Sequence, residues 1–169
     1  MASAKAAVPA KGSADTAEAP PFPPALVDRV GFLLSMAKGG GEAICMGALA
    51  PLGLHVKQFG LLTVLATEGP LSQQRLGEWT RHDRSTMVTL IDSLEEKGWV
   101  LRKRNPDDRR AYLLQLTPQG RRIQARAEKV MVSAEDQWLK SLSARERDHL
   151  LTLLGKVAVD VGRPPSGHV

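Results

Sequence analysis

From residue 25 onward the apolar positions recur at intervals of three and four, the spacing of helices that bury one face. Leu26, Val30, Leu33, Leu34 and Ala37 draw such a face along a first helix. Gly39, Gly40 and Gly41 follow, and three consecutive glycines predict a kink or a frayed end there, because each loses much backbone entropy on ordering. Phe59, Leu62 and Ala66 share a face of a second helix over 56–68, stopped by Gly69 and Pro70. Ser72 is placed to N-cap a short third helix carrying Leu76 and Trp79. The fourth helix is the most legible: Asp83 caps it, Met87, Leu90, Ile91 and Leu94 form its apolar stripe, and Gly98 supplies a left-handed stop.

The period then changes. Two short strands are expected over 99–104 and 111–116, joined by a turn in which Pro106 is pre-set for the second position and Asn105 and Asp107 offer side-chain support. Thr117 and Pro118 are an N-cap and first-turn proline for a long helix with Ile123, Ala127, Val130, Ala134 and Trp138 along one face. Ser143 and Glu146 form a capping box opening a last helix with Leu150, Leu153, Leu154 and Val157. The fold class is mainly α with a small β-hairpin. Residues 1–24, rich in Ala, Pro and Ser, read as a flexible arm, and 162–169 as a loose tail.

At 169 residues the chain is most simply one domain with an appendage. The net charge of +5 changes the picture only through its distribution: nine basic residues between Lys97 and Ala127 face two acids, Asp107 and Asp108, leaving +7 there and −2 elsewhere. That is the footprint of a face that meets phosphate. One cysteine, Cys45, excludes an internal disulfide framework and fits a reducing cytoplasm, and no apolar run approaches the roughly 18 residues of a membrane span. Without a signal-peptide core, the expected location is cytoplasmic. The histidines at 55, 82, 149 and 168 are too scattered for a metal site, and no cofactor or catalytic constellation appears.

A short helix, a connection and a capped helix make a helix-turn-helix, whose second helix reads the major groove by its N-terminal residues. Opposite the apolar stripe of the fourth helix, Ser85, Thr86 and Thr89 are neutral and hydroxyl-bearing, while Asp92 and Glu96 are acidic. Phosphate repels the acidic half, so docking must use the N-terminal half, including Arg84. The hairpin supports this use. Seven of the nine residues from Arg102 to Arg110 are charged, with Arg102, Lys103 and Arg104 on one arm and Arg109 and Arg110 on the other, apt for phosphate and a narrow minor groove. A solvated hairpin whose charges only block edge pairing is the other reading.

These segments, Ser72 to Trp79, Asp83 to Gly98 and Asn105 to Gly120, resemble the winged-helix core of the MarR family of multiple-antibiotic-resistance-type regulators. Its hallmark of Asp, any residue, Arg in the wing, then Leu-Thr and a Gly, corresponds to Asp108, Arg110, Leu116, Thr117 and Gly120. Trp79, Arg81 and His82 depart from the family's usual smaller or aliphatic residues. The resemblance implies a winged helix-turn-helix over 55–117, flanked by dimerisation helices in 25–54 and 118–161, in a homodimer that reads the halves of a pseudo-palindromic operator in double-stranded DNA. It assigns Ser85, Thr86 and Thr89 to the major groove and Arg110 to the minor groove. Asp108 then orients Arg110, and Lys103, Arg104 and Arg109 contact phosphate.

The resemblance further implies a repressor released by a small, often phenolic or aromatic effector, with Met36, Met46, Phe59, Trp79 and Met87 as candidate pocket residues unless they are simply core. Cys45 has no basic neighbour in sequence and reads as a buried thiol, with cysteine-based redox sensing the alternative. Two further classes stay open: an enzyme, which no motif supports, and a winged-helix protein-interaction module that does not use DNA.

Overall fold

The computed structural model describes residues 22–106, 108 and 111–162, so most of the expected arm and tail lie outside the described residues. The chain divides into two compact units between Lys38 and Gly39. The first holds the short helix α1 (Pro24–Val27) and the start of α2 (Val30–Leu49), which continues past the boundary, and in it Phe22 and Phe32 meet edge to face with ring centroids 5.3 Å apart. The single first helix expected from the apolar spacing is thus broken at Asp28 and Arg29. Its expected kink at the three glycines is absent, since α2 runs through them unbroken. The reason is tertiary. A Cβ on Gly41 would lie within 2.3 Å of the Trp138 indole, so the glycine lets that ring pack on the helix backbone.

The second unit continues with a 3-10 turn (Ala50–Leu52), α3 (Val56–Glu68), β1 (Leu71–Ser72), α4 (Gln73–Thr80), α5 (Arg84–Glu96), β2 (Val100–Arg104), β3 (Tyr112–Leu116), α6 (Pro118–Trp138) and α7 (Ala144–Gly162). Local chemistry accounts for the starts. His55 Nδ1 accepts from the Lys57 N–H at 3.1 Å while Gln58 Oε1 accepts from the His55 N–H, a reciprocal cap for α3. Ser72 and Thr117 accept from the amides of Arg75 and Gly120 three residues on. Between α4 and α5 the turn places Arg81 in the left-handed region at φ 52°, the one described non-glycine residue there. After α5 the chain leaves through Gly98 at φ 67°.

The sheet is three-stranded and antiparallel in the order β1-β3-β2. The hairpin was expected; β1 was not, because two residues beside a helix cap carry no periodicity. It pairs Leu71 with Leu114, and β2 pairs Val100 with Leu116 through to Arg104 with Tyr112. Leu49, Leu61, Leu62, Leu76, Met87, Ile91, Leu94 and Leu114 form the fully buried centre, and each such side chain stabilises by about 1.5–3 kcal/mol. Buried Gln58 donates from Nε2 to Ser93 Oγ at 3.0 Å, joining α3 to α5.

The Leu116, Thr117 and Gly120 that carry the resemblance have a mechanical meaning here. Leu116 is buried, Thr117 Oγ1 donates to the Gly98 carbonyl at 2.7 Å, and a Cβ on Gly120 would lie 1.9 Å from the Trp99 carbonyl oxygen. The start of α6 is pressed onto the root of the wing, and only glycine fits.

The face of α6 is consumed within the chain. Ala127, Met131 and Ala134 are buried, and Ile123 and Val130 pack on the core. On α7, by contrast, Leu151, Leu153, Leu154, Val157 and Val159 are exposed, as are Leu26, Val30, Leu33 and Leu34 near the N-terminus. Among the described residues no single helix is long and apolar enough to cross a membrane, and no cluster of three metal-ligating side chains forms.

Candidate nucleic-acid interface

The site is built on the first two turns of α5 and the outer arm of the wing. Asp83 caps α5 more completely than one hydrogen bond requires: Oδ1 accepts the Thr86 N–H at 2.9 Å and the Ser85 hydroxyl, and Oδ2 accepts the Thr86 hydroxyl at 2.6 Å. These donors, the Ser85 hydroxyl foremost and then the Thr86 hydroxyl and amide, hold the Asp83 carboxyl well below the usual carboxylate range. Thr89 Oγ1 donates to the Ser85 carbonyl at 3.2 Å. Arg84, Ser85 and Thr89 are exposed and Thr86 half-buried, so this end of α5 presents hydroxyls, a guanidinium and the positive end of the helix dipole to solvent.

On the wing, β2 is an edge strand on which every side chain from Leu101 to Arg104 is exposed. The register opposite Leu113 and Tyr112 places Lys103 and Arg104 there. The hairpin closes through Asn105 N–H to the Ala111 carbonyl at 2.9 Å and Ala111 N–H to the Asp108 carbonyl at 3.0 Å. Asp108 is exposed beside that closure, whereas Asp107, Arg109 and Arg110 lie outside the described residues.

Arg102 departs from its expected role as a steering charge. Its guanidinium reaches Asp92 at 3.0 Å and Glu95 at 2.5 Å, bridging β2 to the acidic half of α5. Of the two acids expected to repel phosphate, Asp92 is thereby paired, together with Glu95, while Glu96 is exposed outside this ion pair, and the wing is tied to the helix. Sequence alone offers no signal for this, since Arg102 is on β2 and both acids are on α5, and other charges nearby compete as partners.

A groove of about 570 Å³ lies between α4 and α5, lined by Gln73, Gln74, Gly77, His82, Arg84 and Met87. It adds Gln73, Gln74 and His82 to the polar groups beside Arg84, residues that sequence reasoning passed over although the start of a helix-turn-helix's first helix is a natural place for them. Of the candidate effector residues, Met87 lines this groove and is otherwise core; Phe59 is packed against the core and Met46 is half-buried. Trp79 is exposed with Arg75 stacked 4.8 Å above its ring, and Met36 is exposed in the first unit. A second groove, also about 570 Å³, runs between the C-terminal half of α2 and α6, lined by Ala43, Ile44, Gly47 and Ala48 on one wall and Lys129, Val130, Ser133, Ala134 and Gln137 on the other. Cys45 is buried, and burial, with the nearby Glu135 charge, pushes its thiol up.

Residues 54–112 match the sequence profile of the MarR family. An HTH-type transcriptional repressor of Mycobacterium bovis is 31% identical over 131 residues, covering 78% of this chain and 94% of that protein. The chain belongs to the MarR family. MarR-family proteins are transcriptional regulators and not enzymes. A relative from Thauera aromatica, a transcriptional regulatory protein assigned to the hcr operon, is 37% identical over 99 residues, 59% of this chain and 60% of that protein's length. Among solved structures, the repressor CouR bound to a 23-mer DNA duplex superposes with a TM-score of 0.76 at 31% identity, covering 80% of this chain and 96% of that one. CouR from Rhodococcus jostii RHA1 bound to p-coumaroyl-CoA gives 0.74 at 28% identity, over 86% and 100% of the two chains. The matched residues 54–112 take in α3, β1, α4, α5 and β2.

Proposed function

We propose that this MarR-family regulator is a homodimer that binds a pseudo-palindromic operator in double-stranded DNA and represses transcription until a small effector releases it. The observation that carries the DNA reading is the exposed surface formed by the N-terminal half of α5 and the cationic arm of β2, with the intervening acids Asp92 and Glu95 paired by Arg102. On this reading Arg84, Ser85, Thr86 and Thr89 meet the major groove, Lys103, Arg104 and Arg109 the phosphates, and Arg110, aimed by Asp108, the minor groove. CouR, which shares the fold, is bound to a 23-mer duplex in one structure and to p-coumaroyl-CoA in another, and that pair supports both DNA binding and an effector. The exposed apolar residues of α7 and of the N-terminal helices support dimerisation, since a patch of that kind marks an interaction surface. Met46, Phe59, Trp79 and Met87 remain the proposed effector contacts, Met87 through the α4/α5 groove.

The test is a salt titration of binding to the promoter region of the protein's own gene. Specific binding should weaken steeply with salt, and Arg110→Ala should make the log–log slope shallower by about one. Failure to bind any genomic fragment, with effector absent, overturns the reading in favour of a protein-interaction module. Leu154→Asp with Val157→Asp should give a monomer in sedimentation and abolish specific binding.

A further inference from the structure

The hydroxyls on the reading helix have already spent their protons. Ser85 and Thr86 donate to the two oxygens of Asp83, and Thr89 donates to the Ser85 carbonyl. The direction of each bond is not a matter of choice, because an ionised carboxylate and a main-chain carbonyl accept and cannot donate. A hydroxyl has one proton, so what each turns toward solvent is lone pairs.

We propose that Ser85, Thr86 and Thr89 meet DNA as hydrogen-bond acceptors only, and that this end of α5 selects base pairs by where they place an exocyclic amino group, adenine N6 or cytosine N4, in the major groove. The inference rests on the DNA-binding reading and deepens it. Phosphate oxygens, guanine N7 and O6, and thymine O4 all accept, so none of them matches these side chains. Arg84, Lys103 and Arg104 supply the donors for those groups, leaving the hydroxyls free of phosphate work. For Ser85 and Thr86, turning outward to a phosphate would exchange one charged acceptor for another and leave the Asp83 carboxylate short of a donor, with no net gain, while Thr89 keeps its proton on the Ser85 carbonyl within its own helix. Asp83 is then a positioning residue that sets the polarity of its neighbours. It stays ionised throughout the neutral range because the same donors depress its carboxyl.

Asparagine at this position isolates the effect. It caps a helix as well as aspartate, and the Thr86 N–H and Ser85 hydroxyl can keep its single oxygen. Its NH₂ then faces Thr86 Oγ1, which must accept, so the Thr86 proton is released outward.

The experiment uses the full chain and a duplex enriched by it from a random-sequence library. At each base pair under α5, single groups are deleted: purine for adenine to remove N6, 2-pyrimidinone for cytosine to remove N4, 7-deazapurines to remove N7, and methylphosphonates to neutralise single phosphates. Deleting the contacted amino group should weaken wild-type binding roughly threefold to tenfold, the range of one neutral hydrogen bond. The same deletion should cost nothing further in Ser85→Ala or Thr89→Val, while 7-deaza and methylphosphonate effects stay additive with those substitutions. Asp83→Asn, with unchanged melting temperature, should enrich sites carrying guanine or thymine at the Thr86 position. Coupling of Ser85 or Thr89 to a phosphate or to N7, absence of coupling to any amino group, or an unaltered Asp83→Asn site overturns the proposal while DNA binding stands. If no duplex is enriched, the DNA-binding reading falls and this inference with it.

Discussion

Replacing Arg102 by alanine separates two ways in which one arginine can favour DNA. If it contacts phosphate, its loss removes an attraction; if it pairs Asp92 and Glu95, its loss also exposes two carboxylates beside the docking face. The structure supports the second, with both acids within 3.0 Å of the guanidinium. The cluster is partly exposed, side-chain accessibilities being 37% for Arg102, 57% for Asp92 and 26% for Glu95, so its contribution to folding is modest, about 1 kcal/mol. The effect on DNA is of similar size and read separately. For a carboxylate taken at about 8 Å from a phosphate, an effective dielectric constant of about 40 and one Debye length give about 0.4 kcal/mol per phosphate, and about two or three phosphates are assumed within that range. One arginine offsets one of the two carboxylate charges, so its loss adds one net negative charge beside the docking face and should cost about 0.8–1.2 kcal/mol, roughly fourfold to eightfold in affinity at physiological salt. The decisive variant is the triple Arg102→Ala, Asp92→Asn, Glu95→Gln. Fluorescence anisotropy with an operator duplex should show Arg102→Ala weakened by that factor and the triple restored to within about threefold of wild type. A triple variant as weak as Arg102→Ala alone would show that Arg102 touches DNA directly and would refute the masking argument.

Other consequences follow from single contacts. Gly120→Ala drives a methyl into the Trp99 carbonyl and should cost about 3 kcal/mol or more, read as a lower melting temperature with loss of DNA binding. Gly41→Ala should destabilise by about 1–3 kcal/mol, and the penalty should vanish in a Trp138→Ala background, because the two share one contact. Cys45, buried and with its thiol pushed up, should stay unmodified by a thiol reagent at neutral pH in the native protein and react fully once unfolded; peroxide that releases DNA through Cys45 would revive the redox-sensing alternative. Asp83 is depressed in the folded chain, so its contribution is complete above its ordinary value of 3.8 and fades as the pH falls below it; the stability difference between wild type and Asp83→Ala should narrow below about pH 4.

Much of this fold is written in short-range chemistry. The caps at Ser72, Asp83 and Thr117 and the stripe from Met87 to Leu94 each depend on residues within a helical turn or two, so their elements follow from the chain alone, as do the hydroxyls and cations of the candidate interface. What the sequence left undetermined is what distant residues do to one another. Three glycines loosen a helix on local grounds, yet α2 runs straight through because Trp138 packs where a side chain at Gly41 would stand. The strand β1 exists because β3 lies alongside to accept it. Arg102 is one cation among many until folding brings Asp92 and Glu95 to it, and a hydroxyl's polarity toward DNA is open until a carboxylate takes its proton. The physical division is one of range: backbone conformation and amphipathic faces are decided by neighbours in sequence, whereas close approach, ion pairing and the direction of a shared proton are decided by neighbours in space.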